Sequence, residues 1–517
     1  MGRINTNVSS LIAQRVLGLN QGNLGISLER LSTGLRINRG KDDPAGLIAS
    51  ENLRAEKKAV NAAIGNAERA DQVVSIAEGG LQEISELLTE VQGLLTQTAS
   101  TGGISPDERR ANQLQVDSIL QTIDRIASAT SFQGLKLLNG NQDYVTESIS
   151  PNIAGFSINA AKLAFGETRD VDVVVTGSAQ VGGFLLSFGA AALDLGAITD
   201  KFVVEVAGSR GSRELSFASG TTVADIVAAV NSFTQVTGVA AAASGTGAVL
   251  TSTGFGSAEF VSVRVIDDGS INTAQANAGV YGFEAADTGA ADAGAQTLFS
   301  AANNKITDEG QDVQATINGI AATTNGTVVR INTDFLDVEV DLKTGTSSGA
   351  EAQRLGAVTA FTITGGGAAF QLGGRVDIGG EVNLGIPNFA VRNTGRTQVT
   401  VSGSQSTHYL ADIGAGRALN LVDGNLNGAQ EVLSNAIKEV TSLRGRLGAF
   451  QSNVIGSTVR SLGIALENTT AAESVIRDTD FADETSKLTR AQVLVSAAAS
   501  VLTIANASPQ TALQLLG

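Results

Sequence analysis

Residues 60–95, VNAAIGNAERADQVVSIAEGGLQEISELLTEVQGLL, carry the strongest structural signal in the chain. Apolar side chains fill every position of a series whose steps alternate between three and four residues, namely 60, 63, 67, 70, 74, 77, 81, 84, 88, 91 and 95. This spacing places them on one stripe of an α-helix and is typical of a coiled coil or a long bundle. At 1.5 Å of rise per residue the helix extends roughly 50 Å. The stretch therefore predicts a helical rod.

Two further segments repeat the pattern and complete the bundle. Ser105 and Pro106 are residue types that begin a helix, and apolar steps of three and four resume from Val116. Near the other end of the chain, the same spacing runs through residues 433–454. The predicted core of this antiparallel rod comprises Val74, Leu81, Ile84, Leu88, Val91, Leu95, Val440, Leu443, Leu447 and Phe450.

The two extreme ends of the chain carry a second, seven-residue pattern. Small alanines of the C-terminal segment stand opposite regularly placed leucines of the N-terminal segment, which lets two helices approach closely. We therefore predict that the terminal helices pair with each other. The predicted subunit-interface residues are Leu17, Leu24, Leu28, Leu31, Leu35, Phe481, Leu488, Val495, Ala498, Leu502 and Ala505.

These terminal helices contain more apolar surface than one two-helix seam can cover. Val493, Leu494 and Val501 lie outside the seven-residue seam, for example. An ordinary intramolecular bundle core is a sufficient explanation for the rod, but it leaves this surplus exposed. The surplus predicts that other copies of the chain cover it, so that the protein is a structural subunit that polymerises.

The middle of the chain has the alternating and Gly-bounded runs of β-structure. The sequence therefore predicts an α+β protein in which both chain ends form a long antiparallel helical rod or coiled coil, with a β-rich modular insert between them. The expected division is an inner helical domain of 1–42 with 475–517, a rod domain of 43–165 with 404–474, and an insert of 166–403, the last with modules of about 166–300 and 301–403.

Composition restricts the partners of the chain. Lys and Arg total 35 against 51 Asp and Glu, and the resulting formal charge of −16 disfavours nucleic acid and anionic lipid. Cysteine is absent, which excludes disulfides and thiolate metal sites. The N-terminus lacks the segments of a classical signal peptide, and the apolar run 493–507 is shorter than a bilayer requires. We therefore expect no nucleic-acid partner and no membrane insertion.

Residues suited to catalysis or metal binding are sparse. His408 is the single histidine, which excludes a two-histidine zinc motif and, on the sequence alone, leaves no Ser-His dyad with a spare base. The acidic pairs Asp42-Asp43 and Asp267-Asp268 lack the alternating spacing of a calcium loop, and we interpret them as solvated turns. The chain is therefore predicted to be neither an enzyme nor a cofactor- or metal-binding protein.

Both ends of the chain contain long, distinctive segments. The N-terminal ones are RINTN (3–7), ERLSTGLRIN (29–38) and KDDPAGLIAS (41–50). The C-terminal ones are LRGRLGAFQ (443–451), ENTTAAESVIRDTDFADETSKLTRAQVL (467–494) and ASVLTIANASPQTALQLLG (499–517). At both ends, and in the right order, these segments resemble bacterial flagellin. In the middle, TTVADIVAAVNS (221–232) is similar to inserts of some flagellins and hook-associated proteins.

The resemblance implies a subunit of the flagellar filament, which drives motility. It implies that the paired terminal helices line the inner tube and that the insert lies on the outer surface. The implied partners are identical subunits, a filament cap protein, hook-associated junction proteins, and a cytoplasmic export chaperone that covers the C-terminal helix. The implied location is the extracellular filament, reached through the flagellar export apparatus without a cleaved signal peptide.

The resemblance also identifies a possible receptor-contact stretch. In some flagellins the rod segment that matches residues 88–97 binds an animal Toll-like receptor through an Arg, a Leu and a Gln. Leu94 and Gln97 match this pattern, but Glu90 stands at the Arg position. A carboxylate in place of a cation reverses the charge of that contact, so the sequence predicts weak recognition.

Two alternatives share these sequence features. A hook-filament junction protein would have the same terminal helices but would not polymerise indefinitely. A filament-displayed adhesin would use the insert as its working part and the rod only for display. Full-length matching of LSTGLRIN and RDTDFADET favours the filament subunit.

Overall fold

Long helices occupy both ends of the chain in the computed structural model, which describes residues 6–514 except 101, 165, 272–277, 285–286, 346–354 and 402–403. Two short 3-10 helices cover Phe299–Ala301 and Leu410–Ile413. The α-helices of the described residues are α1 (Val8–Thr33), α2 (Pro44–Thr98), α3 (Pro106–Ala129), α4 (Val223–Ser232), α5 (Thr234–Thr237), α6 (Leu426–Ala449), α7 (Gly456–Arg477) and α8 (Phe481–Gln514).

Local sequence determines where several of these helices begin and end. The Asn7 side chain caps α1 by accepting a hydrogen bond from the Ser10 amide at 3.0 Å. Gly34 ends α1 in the left-handed conformation, with φ of 74°, where a side chain would be strained. Ser105 and Glu108 form a reciprocal capping box at the start of α3, as the Ser-Pro signal predicted.

One deviation interrupts the C-terminal helical stripe. A π-helical segment, Phe450–Ile455, joins α6 to α7 and inserts one residue into the helical repeat. The alternating spacing predicted that Val454 would follow Phe450 in the core, yet Val454 is half-buried and Ile455 is buried instead. Sequence periodicity assumes a uniform helix, so it could not anticipate this shift of register.

The middle of the chain forms antiparallel sheets. Their strand orders are β1-β2, β13-β12-β6-β10-β9, β14-β11-β7-β8, β16-β15-β5-β20-β3, β17-β18-β19-β4, β21-β22 and β23-β24. The strands are β1 (Ser131–Phe132), β2 (Leu135–Lys136), β3 (Tyr144–Glu147), β4 (Ile153–Ala161), β5 (Arg169–Gly177), β6 (Gly183–Ser187), β7 (Lys201–Gly208), β8 (Gly211–Ala218), β9 (Val239–Ser244), β10 (Gly247–Ser252), β11 (Phe260–Asp267), β12 (Gly279–Glu284), β13 (Asp287–Thr297), β14 (Ile306–Glu309), β15 (Gln314–Ile317), β16 (Ile320–Ala321), β17 (Thr323–Asn325), β18 (Val328–Asn332), β19 (Leu336–Leu342), β20 (Gly356–Gly366), β21 (Ala368–Gln371), β22 (Glu381–Leu384), β23 (Thr397–Val401) and β24 (Ser404–His408).

Two separate hydrophobic cores divide this β-rich region. The first β module, defined here as residues 181–310, has a core that runs from Phe184 to Ala302. The second β module comprises residues 144–180 and 311–366 and has its own core. An isolated bridge between Gln180 and Gln311 marks where the chain passes from one module to the other. The first module is therefore inserted into the second.

This arrangement corrects the predicted boundaries. The modules are not consecutive segments of 166–300 and 301–403, because β5 pairs with β15 and β20 across the whole first module. The rod domain does not extend to residue 165 either. Strands β3 and β4 fall within the segment 43–165, and they pair with β20 and β19 of the insert. Pairing between residues so distant in sequence has no local signature.

Local sequence explains where some elements of the insert begin and turn. Thr222 begins α4 with a capping box to Asp225, and the helix lies in the chain between flanking strands. Asn318 and Gly319 both have positive φ, 50° and 79°, in the turn between β15 and β16. This backbone matches the two-residue hairpin turn that an Asn-Gly pair favours.

The chain divides into two compact units. Unit 1 contains residues 1–75, 370–381 and 444–517, and unit 2 contains residues 76–369 and 382–443. The expected inner domain, 1–42 with 475–517, is therefore part of a larger unit. The predicted α+β class, with helical chain ends around a β-rich insert, is confirmed.

Candidate functional site

The pairing of α1 with α8 is the central feature of unit 1. The Asn7 side-chain amide donates a hydrogen bond to the Ala505 carbonyl at 2.7 Å, near one end of the pair. The Ser27 hydroxyl donates to a carboxylate oxygen of Glu484 at 2.6 Å, near the other end. Because early residues of α1 meet late residues of α8, the two helices are antiparallel and in contact along most of their described length.

Small residues form the centre of this seam. Ala491, Ala498 and Ala505 recur every seven residues along α8 and are all buried. Ser10 and Ala13 are the buried residues on the facing end of α1. Side chains this small allow the two backbones to approach closely, which the alanine repeat had predicted. Flanking the centre are half-buried residues, namely Leu17, Leu24, Leu31, Leu488, Val495 and Leu502.

Three predicted interface residues lie outside this seam. Leu28 is 50% exposed and Phe481 is 56% exposed, so neither is covered by the partner helix. Leu35 follows the end of α1 and forms an isolated antiparallel bridge with Asp478. On α1 the seam passes through residues 10, 13, 17, 20, 24, 27 and 31 instead. Some of these positions carry polar side chains, which the predicted pattern of leucines did not include.

A polar cluster that the sequence analysis missed holds one end of the pair together. The Glu484 residue is only 3% exposed and accepts the Ser27 hydrogen bond. Its second carboxylate oxygen lies 3.6 Å from Arg30 and 3.8 Å from Lys487. A buried carboxylate is tolerated when hydrogen bonds and opposite charges surround it. The contacts with Ser27 and Arg30 fix the register of α1 against α8, because sliding by one turn would break both of them.

The outward sides of both helices expose a large apolar surface. We call the following residues the apolar surface of the pair, all of them at least 39% exposed: Val8, Leu11, Ile12, Val16, Leu19, Ile26, Leu28, Phe481, Val493, Leu494, Val501 and Ile504. Soluble monomers rarely expose contiguous apolar areas of this kind, and such areas mark sites of association. The pair thus has the surface that its sequence predicted.

Backbone contacts connect the helix pair to the rest of unit 1. The Arg36 amide donates to the Arg477 carbonyl at 2.7 Å, and the Thr479 amide donates to the Gly34 carbonyl at 2.9 Å. In the turn that follows, hydrogen bonds from the Arg39 amide and then the Asn38 amide lower the pKa of Asp42 below its usual value. The acidic pair at 42–43 therefore serves a turn, as interpreted from the sequence.

The predicted rod-core residues are buried in their respective units. Each of Val74, Leu81, Ile84, Leu88, Val91, Leu95, Val440, Leu443, Leu447 and Phe450 is at most 8% exposed. The predicted receptor-contact stretch lies on the same helix, α2. Glu90 and Gln97 are exposed there, and Leu94 is half-buried.

His408 has more partners than the sequence indicated. Its Nε2 lies 2.8 Å from the Ser406 hydroxyl, and its Nδ1 lies 3.1 Å from the Asp412 carboxylate. The sequence alone offered no Ser-His dyad with a spare base, but the structure brings Ser406, His408 and Asp412 together. Asp412 also accepts a hydrogen bond from the Tyr409 amide, and the Ser406 residue is exposed on a strand of a two-stranded hairpin. We interpret the network as a structural link between β24 and the 3-10 helix that follows.

The other residues considered for catalysis or metal binding have structural roles, in so far as they lie among the described residues. Asp267 and Asp268 accept hydrogen bonds from the Gly269 and Ser270 amides, which is the turn predicted for this acidic pair. Within the described ranges, His and acidic side chains form no group of three or more that could hold a metal ion.

The apolar segment of α8 is longer than the sequence analysis assumed, which corrects the expectation that it is too short to cross a bilayer. Phe481–Ala507 is long and apolar enough to cross a membrane, judged by length and composition alone, whereas the run 493–507 was too short. Only 17% of the most apolar window is buried. Pairing with α1 accounts for part of this composition, because it buries Ala491, Ala498 and Ala505 of α8.

The fold, with long helices at both chain ends around a β-rich insert, is that of a structural protein. Three family profiles match the chain: the bacterial flagellin N-terminal helical region at residues 4–143, the flagellin hook IN motif at 201–254, and the bacterial flagellin C-terminal helical region at 431–516. The chain belongs to the bacterial flagellin family, and it is a structural subunit of the extracellular flagellar filament that assembles with copies of itself.

Full-length relatives agree with this assignment. The chain is 28% identical to Flagellin B of Vibrio cholerae serotype O1 and 29% identical to flagellin of Salmonella choleraesuis, and each match covers 99% of both chains. These matches confirm the flagellin resemblance and do not favour the alternatives of a junction protein or a displayed adhesin.

Similar solved structures include other flagellar proteins. FliC from Burkholderia pseudomallei is 16% identical with a TM-score of 0.22, and the match covers 74% of this chain and 99% of that one. FlgL from Xanthomonas campestris is 12% identical with a TM-score of 0.25, and the match covers 80% of this chain and 98% of that one.

Proposed function

We propose that the apolar surface of the α1–α8 pair is the contact between subunits at the centre of the filament. The observation that carries this proposal is the exposure of twelve large apolar side chains on two helices that already cover each other on one side. Burying one such side chain is worth about 1.5–3 kcal/mol. Neighbouring copies present the same surface, so packing pair against pair removes apolar area from water for every subunit.

This proposal assigns a role to each part of the chain. Residues 1–42 with 475–517 would form the inner core of the filament, and the interface residues predicted from sequence would lie there. The rod would comprise the helical parts of 43–129 and 404–474, shortened from the original prediction by the strands β3 and β4. The β modules would form the outer surface. No catalytic role is included, since the proposed function requires only assembly.

The other partners follow from the same surface. A filament cap protein and hook-associated junction proteins would meet subunits at the two ends of the filament, where helix pairs lack a neighbouring copy. An export chaperone would cover α8 before assembly, because this helix exposes much of its apolar surface in the single chain. We propose that the unfolded chain passes through the flagellar export apparatus. The chain has no cysteine and therefore no disulfide cross-links, which suits passage in the unfolded state.

Hydroxyl-radical footprinting of the full chain, before and after seeded polymerisation, tests the proposal. We expect Leu11, Phe481 and Ile504 to be oxidised readily in the monomer and to be protected at least about fivefold in the filament, because contact with neighbours excludes solvent. Val236, which is 53% exposed in the insert, serves as the control and should react equally in both states. Unchanged oxidation of all three helix residues in filaments would show that the contact lies elsewhere.

The receptor-contact stretch supports a separate prediction. We propose that Glu90 weakens recognition by a Toll-like receptor, and we expect Glu90→Arg to raise signalling by monomeric protein in reporter cells about tenfold, as restoring one charged contact would. Glu86→Arg, also exposed and one helical turn earlier, is the matched control and should change little. Strong signalling by the unaltered chain, or equal gains from both variants, would contradict the role of Glu90.

A further inference from the structure

Strand β9 forms one edge of the five-stranded sheet in the first β module, and it lacks the charges that usually protect such an edge. The edge strands of the other sheet in this module carry charged residues, namely Arg213 and Glu214 on β8 and Asp308 and Glu309 on β14. The sequence of β9 is VAAAAS, which contains neither a charged residue nor a proline. Small, uncharged side chains let another strand approach, so a free edge of this kind can pair with a second chain.

The Asn231 side chain covers this edge. Asn231 lies in the last turn of α4, ten residues before Ala241 of β9. Its side-chain nitrogen donates a hydrogen bond to the Ala241 carbonyl at 2.9 Å, and its side-chain oxygen accepts one from the Ala241 amide at 2.8 Å. A side-chain amide has the same donor and acceptor groups as a peptide bond. Asn231 therefore binds Ala241 as a residue of an adjacent strand would.

These contacts occupy most of the outer side of β9. The amide and carbonyl of Ala241 face Asn231 and not β10, and in an antiparallel ladder every second residue has the same orientation. The backbone groups of Val239 and Ala243 therefore also face outward. The Val239 amide donates to the Thr237 hydroxyl at 3.2 Å, and Ala243 is exposed next to the hairpin turn. Groups of the same chain thus bind two of the three outward-facing residues.

We propose that Asn231 prevents the β9 edges of two copies of this chain from pairing with each other. Assembly into a filament brings many copies close together, so an open edge would have a second copy within reach. Two identical edges can pair antiparallel, because a two-fold contact is complementary to itself. Asn231 occupies the backbone groups that this pairing requires. The inference concerns β9 alone and is separate from the contact proposed for the α1–α8 pair.

Sedimentation velocity of the full-length variant Asn231→Ala tests this inference. Alanine favours a helix more than asparagine does, so α4 should stay folded while Ala241 loses its partner. In unseeded protein at physiological salt, where charge repulsion between copies is screened, we expect a dimer dissociation constant at least about tenfold lower than for the natural chain. Ser232→Ala is the matched control, because the exposed Ser232 hydroxyl only donates within α4, to the Ala229 carbonyl. Equal dissociation constants for the two variants would overturn the proposal.

A lysine on the opened edge provides a second test. Adding Ala243→Lys to Asn231→Ala places like charges on the two edges that would meet, so the double variant should dimerise as weakly as the natural chain. A fold damaged by the loss of Asn231 would not be repaired by this lysine. A dimer that persists in the double variant would show that association does not use β9. Because both tests use unseeded protein, failure of the natural chain to elongate seeds would contradict the filament function alone.

Discussion

Replacing Ile504 by Asp is expected to abolish filament elongation and to leave the monomer folded. Ile504 is 69% exposed on α8, so a carboxylate there remains solvated in the single chain and costs little. In the filament the same carboxylate would enter an apolar contact with a neighbouring copy, at a cost of several kcal/mol. Since about 1.4 kcal/mol corresponds to a tenfold change in affinity, the critical concentration should rise roughly 1,000-fold.

The control for this variant places the same charge on the other side of α8. Gln492 is exposed on a stripe of α8 that it shares with the polar residues Thr485, Ser496 and Thr503, which lie at helical spacing from it. Gln492→Asp should therefore elongate seeds nearly as well as the natural chain. Light scattering from seeded solutions provides the measurement. If Ile504→Asp elongates seeds like Gln492→Asp, the apolar surface of the pair is not the contact between subunits.

Truncation of Leu81 should destabilise unit 2 substantially. This side chain is fully buried in α2, and Leu81→Ala removes its packing and leaves a cavity. Substitutions of this kind cost roughly 3 kcal/mol or more when the surroundings do not collapse. We expect the monomer to unfold at a correspondingly lower denaturant concentration. Circular dichroism, or a spectroscopic signal from unit 2, measures this unfolding midpoint.

Leu114→Ala is the matched control for this second variant. Leu114 belongs to α3 of the same unit but is 69% exposed, so the same truncation removes little packing. Its effect should stay within about 0.5 kcal/mol. Equal losses of stability for the two variants would show that Leu81 does not belong to the core predicted from the spacing of apolar residues.

The paired terminal helices show how far sequence can predict a site. The seven-residue repeat of alanine in α8 correctly indicated close packing against α1, because that repeat is a property of one helix alone. The buried serines of the seam were missed. Ser27 is buried because its hydroxyl meets Glu484, a residue 457 positions away, and neither residue type suggests burial by itself.

The triad-like contacts of His408 illustrate the same limit. The sequence shows one histidine and abundant serines and aspartates, and it offers no reason to select Ser406 and Asp412. The hairpin of β23 and β24 places Ser406 and His408 on one face, and the 3-10 helix then turns Asp412 back toward the ring. Backbone geometry over seven residues decides these contacts, so residue types alone could not predict them.

Sequence by itself determined the helical ends of this protein, the apolar stripe of its rod and the surplus of apolar surface on its termini. Each of these depends on the periodicity of one helix, which neighbouring residues specify directly. Tertiary structure decided the insertion of one β module into the other and the burial of Ser27 and Glu484. Those features join residues distant in the chain, and their energies exist only once the segments meet.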